Sequence, residues 1–127
     1  MPPGARIGGY GLNTPPGAVL FNRLREHALS IDQAEDLDLK DFRCRYLVVD
    51  DIWIPLAETL LIEMYRPVWN TIVPGFGNHA PGKGRHKQQR SAWDTLHPGR
   101  PWAAKLQDHL KTRDHIKEEV RQSLRDQ

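Results

Sequence analysis

Phe42-Arg43-Cys44-Arg45-Tyr46-Leu47-Val48-Val49 is the stretch on which the fold class turns. Phe42, Cys44, Tyr46 and Val48 alternate with Arg43, Arg45, Leu47 and Val49, and the second half is apolar on both faces. That pattern predicts a strand buried at one end. Asp50-Asp51 closes it. A strand set among helices makes the class α+β, with helix as the larger share.

Helices are predicted on both sides of this strand. Upstream, Ala18 to Ser30 places Val19, Leu20, Leu24, His27, Ala28 and Ile31 on or near one stripe at helical spacing. Asp32 to Leu39 reads as a short acidic helix or turn, with Asp32 available as a cap. Downstream, Pro55 to Tyr65 is a second helix with Pro55 in its first turn and Pro67 as its stop. Trp69-Asn70 then leads into a rigid turn, Val73-Pro74-Gly75-Phe76-Gly77. Residues 1–17, rich in glycine with proline pairs at both ends, read as an irregular arm. Residues 78–101 read as a basic loop running into ring-anchored irregular chain, and 103–127 as a long amphipathic helix built on Leu106, Leu110, Ile116, Val120 and Leu124.

The 127 residues suit a single domain over 1–127. A mean hydropathy of −0.63 and the lack of any run of about 20 apolar residues argue against a membrane span. The start, Met1-Pro2-Pro3-Gly4, has no basic and apolar leader pattern, so a cytoplasmic protein is expected. One cysteine, Cys44, rules out an internal disulfide and a cysteine-rich zinc site. The net charge is only +2, but it is unevenly placed. Between Asn78 and Arg100 the cations Lys83, Arg85, Lys87, Arg90 and Arg100 face a single acid, Asp94. A basic, glycine-containing stretch with aromatic neighbours suits nucleic-acid phosphates; an ordinary solvated loop has the same composition.

Four side chains carry candidate chemistry. Arg23 and His27 lie one helical turn apart, so a phosphate-gripping fork and a proton carrier share a face. The same spacing also suits a surface arginine and a partly buried histidine. Glu58 stands among Leu56, Ala57, Leu60, Leu61 and Ile62, where a carboxylate calls for a cation or a hydrogen-bond partner. Magnesium is one such cation, because one or two carboxylates with phosphate oxygens and water suffice to hold it. Asn70 is placed either to orient water or phosphate or to cap its own turn.

Read in order, Phe21-Asn22-Arg23-Leu24-Arg25-Glu26-His27-Ala28, Arg45-Tyr46-Leu47-Val48-Val49, Trp53-Ile54-Pro55-Leu56-Ala57-Glu58, Arg66-Pro67-Val68-Trp69-Asn70, Gly75-Phe76-Gly77-Asn78-His79 and Trp93-Asp94-Thr95-Leu96-His97-Pro98-Gly99-Arg100 resemble the GIY-YIG type II restriction endonucleases, in the Eco-twenty-nine-k-like branch. The resemblance implies a nuclease fold with a small antiparallel sheet flanked by helices. It implies that Arg23, His27, Glu58 and Asn70 form the active site, that Glu58 is the Mg2+ ligand, and that Lys83, Arg85, Lys87, Arg90 and Arg100 contact DNA. It further implies cleavage of both strands of a palindromic site in double-stranded DNA, as a homodimer, within restriction-modification.

The two tyrosine-bearing strand motifs that name the family are not found in the sequence; Tyr10, in Gly8-Gly9-Tyr10-Gly11, matches neither. We therefore expect a nuclease domain truncated at its N-terminus, cutting DNA at least ~100-fold more slowly than one with both tyrosines. The alternative is a non-catalytic DNA-binding module that keeps the basic loop and has no need of Glu58. A third reading, a helical interaction protein, rests on the C-terminal helix alone.

Overall fold

The computed structural model describes residues 16–82 and 88–127. Five α-helices span Pro16–Gln33 (α1), Ile54–Tyr65 (α2), Val68–Thr71 (α3), Ala92–Leu96 (α4) and Arg113–Arg125 (α5), joined by short 3-10 turns. Among the described residues there is no strand and no sheet, which overturns the α+β expectation. Two residues, Gln89 and Gln107, form an isolated parallel bridge.

Phe42 to Val49 is the point of difference. The segment has no ladder partner among the described residues, and 42 through 48 are all exposed, Val48 to 83%. Alternation specifies which face of a strand is apolar, but a strand exists only where another chain segment takes up its N–H and C=O groups. Phe42 is anchored at its ring, which stacks on Trp69 with centroids 5.7 Å apart.

α1 opens on Pro16, where a missing N–H costs nothing. It runs three residues beyond the predicted end at Ser30, so Asp32 lies inside the helix rather than capping the next element. The cap downstream is Asp38, whose carboxylate accepts from the Lys40 backbone N–H. α2 and its stop match the prediction closely: its backbone turns left-handed at Arg66 (φ 44°), just before Pro67. The C-terminal helix is shorter than expected. Thr112 caps α5 by accepting from the His115 N–H, and between the 3-10 turn Ala103–Lys105 and that cap the chain is irregular. Leu106 is buried although it precedes that helix, and Leu110 is 86% exposed.

The core gathers around Trp93, which is fully buried on α4, with Ala34, Val73, Ala92, Leu96 and Ile116 about it and Trp69, Phe76 and Val120 packed alongside. Ser91 caps α4, its Oγ accepting the Asp94 N–H and donating to the Asp94 carboxylate at 2.7 Å. The C-terminal end of α1 is tied to α4 and α5 at several points. The Glu35 N–H donates to the Pro98 carbonyl at 2.7 Å, and Asp36 takes both His97 Nδ1 and an Arg113 N–H at 3.1 Å. Gly99, at φ +146°, passes so close to the Gln33 carbonyl that a Cβ there would overlap it.

Candidate active site

α1, α2 and α3 and the 74–77 turn enclose an open cleft of about 750 Å³. Arg23 and His27 project into it from α1, Glu58 from α2 and Asn70 from α3. Four residues from three separate helices thus line one cavity. An apolar groove of about 450 Å³ runs beside it, between Leu47, Val49 and α2, and shares Glu58 and Asn70.

Each wall follows from local physics. The i, i+4 spacing sets Arg23 and His27 one above the other. His27 lies flat on the Phe76 ring, centroids 4.6 Å apart and planes 22° apart, and Phe76 in turn packs against Trp69 and Trp93. Burial under these rings is the main cause that pushes the His27 imidazole below its ordinary 6.5; the Arg23 charge and His79 add to this, and Glu26 opposes them. Arg23 is half-exposed and within 3.7 Å of Glu26, a loose surface pair. Gly77 leaves room at that spot, since a Cβ there would come to 3.5 Å from the Arg23 guanidinium.

Glu58 is exposed, so the expectation of a carboxylate held among apolar neighbours does not describe it; α2 buries none of its residues. What distinguishes Glu58 is its place at the cleft. No cation pairs with it among the described residues. Asn70 lies inside α3, which begins from Pro67, whose carbonyl takes the Asn70 backbone N–H at 3.0 Å; among the described residues its side chain makes no capping bond. Among the described residues no three His, Cys, Asp or Glu side chains cluster in a way that would hold a metal. A lone carboxylate at the edge of such a cleft fits a magnesium ion, which needs only one or two carboxylates alongside phosphate oxygens and water, better than a zinc centre.

The basic residues part company. Lys83, Arg85 and Lys87 lie outside the described residues. Arg90 is folded inward: Nε donates to the Ala103 carbonyl at 3.0 Å, and its terminal nitrogens to Ala104 and Leu106 carbonyls and to Asp108. Arg100, expected to contact DNA, is 1% exposed and sits in the interior. Its guanidinium lies between the Trp93 and Trp102 rings, 4.5 and 4.7 Å from their centroids. It bonds Asp94 through Nε (2.6 Å) and a terminal nitrogen (2.8 Å), and reaches the carbonyls of Gly75, Phe76 and Asn78. Composition counts such an arginine as free charge; the lone acid Asp94, three residues after the N-cap Ser91, is the sequence signal that it is paired. Phe76 and His79, both beside His27, have no role assigned from sequence.

The cleft thus carries a guanidinium, an imidazole, a carboxylate and an amide, and a nuclease-domain family model matches residues 1–124 of the chain. That model is the Eco29kI GIY-YIG domain, and the chain belongs to this family of GIY-YIG restriction endonucleases. Nucleases with this domain generally depend on a divalent metal. No curated protein matches the chain. Among the described residues no helix is long and apolar enough to cross a membrane.

Proposed function

We propose that the protein is a magnesium-dependent, site-specific endonuclease that hydrolyses phosphodiester bonds in double-stranded DNA, in the type II restriction manner and as a homodimer on a palindromic site. The observation that carries this reading is the convergence of Arg23, His27, Glu58 and Asn70, from three helices, on one open cleft.

Arg23 presents its guanidinium to the scissile phosphate and offsets the charge that builds on its oxygens. His27 is neutral near pH 7 because burial depresses its pKa, so it can take a proton from the attacking water. Asn70 orients that water or a phosphate oxygen through its amide. Glu58 is the residue that would hold Mg2+, whose positive charge lowers the cost of the oxyanion. Lys83, Arg85 and Lys87 supply phosphate contacts, a role that rests on their charge and spacing in the sequence.

The test is cleavage of plasmid and short duplex DNA with and without Mg2+. Metal-dependent cutting is expected, abolished in Glu58→Gln while DNA affinity is kept. Equal cutting by Glu58→Gln, or cutting in excess chelator, overturns the assignment. DNA binding with no cutting at all would make the chain a binding module.

A further inference from the structure

We propose that Arg100 is a positioning residue for His27: its buried guanidinium gathers the Gly75–Asn78 turn and so fixes the Phe76 ring on the imidazole. The catalytic part of this inference rests on the nuclease reading above; the positional part does not.

Three carbonyls of one turn converge on one side chain. A terminal nitrogen of Arg100 donates to the Gly75 carbonyl at 2.8 Å, and the other to the Phe76 carbonyl at 2.9 Å and the Asn78 carbonyl at 3.3 Å. The same second nitrogen reaches Ser30 Oγ on α1 at 3.3 Å, three residues on from His27. One planar group therefore links the helix that carries the imidazole to the turn that carries the ring against it. Asp94 holds the guanidinium from the opposite edge, and Ser91 Oγ orients Asp94. Only a flat fork with five N–H donors can serve carbonyls on one edge and a carboxylate on the other; an ammonium cannot. Gly75 closes the arrangement: at φ +123° its Cα faces Ser91 so closely that a Cβ would overlap that side chain. The turn is thus fixed at its backbone, and Phe76 is fixed with it, stacked on His27 at 4.6 Å.

Arg100→Lys keeps the charge and removes the fork. The ring-current displacement of the His27 imidazole protons by Phe76, read by NMR, should shrink toward unstacked positions. DNA cleavage with Mg2+ should fall on the order of 10–100-fold in kcat with KM held, the mark of lost orientation rather than lost binding. Phe76→Leu leaves the clamp intact and removes only the ring, so it should reproduce the kcat loss even if Arg100→Lys does not fold. Val120→Ala, which loosens the core from α5, supplies a destabilised variant that leaves the turn alone and should keep kcat below its melting temperature. Unchanged imidazole signals in folded Arg100→Lys, full kcat in Phe76→Leu, or an equal kcat loss in Val120→Ala overturns the proposal. If the wild-type chain cuts no DNA, the NMR comparison still decides the clamp, and the nuclease reading fails separately.

Discussion

Arg100 and Asp94 form a two-point ion pair sealed in the interior, Nε to Oδ1 at 2.6 Å and a terminal nitrogen to Oδ2 at 2.8 Å, with 1% and 2% of their surfaces exposed. A buried charge that loses its counter-charge has no water to turn to. Asp94→Asn should therefore cost about 3–5 kcal/mol of stability. Urea denaturation measures this directly, and a loss below about 1 kcal/mol would mean that the guanidinium finds other partners.

Arg90 falls by sequence among the DNA-contacting cations, yet its N–H groups are spent on the Ala103, Ala104 and Leu106 carbonyls and on Asp108. Arg90→Ala should lower the melting temperature while leaving the slope of log affinity against log salt unchanged. Lys83→Ala and Lys87→Ala should each flatten that slope by about one.

Gly99→Ala brings a methyl group onto the Gln33 carbonyl, at a φ of +146° that disfavours any side chain. The expected loss is about 2 kcal/mol or more, because neither backbone can give way without shifting the end of α1. Gly82→Ala, at a position with open space around it, is the matched control and should be near neutral.

His27 sets the pH response. Its folded pKa lies below 6.5, chiefly through burial, and the neutral form is the one that accepts a proton. The acid limb of kcat/KM should therefore fall below 6.5, with activity lost as pH drops through it. Phe76→Ala uncovers the ring and should move the limb up toward 6.5. His97 is shifted the same way, by burial against a partial opposing pull from Asp36. The stability that both imidazoles contribute is thus complete above 6.5 and lost as the pH falls through their folded values.

Arg23→Lys tests whether shape or charge matters at the phosphate. A planar fork meets two oxygens at once and an ammonium does not, so Lys should recover little of the roughly 100-fold loss expected for Arg23→Ala. Recovery to within about threefold would make Arg23 a point charge only.

Much of the site is legible in the amino-acid sequence because it depends on local spacing. Arg23 and His27 need only one helical turn, and α2 announces both its ends with prolines. Properties that depend on distant partners are not legible there. Phe42 to Val49 has strand chemistry but no described neighbour to pair with. Leu106 and Leu110 share the helical spacing of α5 yet precede its cap at Thr112, and the one is buried while the other is 86% exposed. Arg100 reads as surface charge, since a sequence records a guanidinium without recording what lies on its two edges.

Glu58 rides on a helix none of whose residues is buried. α2 contributes nothing to the sealed interior, whereas α4 is buried at four of its five positions. Transient opening should therefore begin at α2, with its amides trading hydrogen for deuterium long before those of α4 do. A ligand that ties Glu58 to Arg23 across the cleft should slow that exchange, and the slowing can be timed without observing a single cut strand.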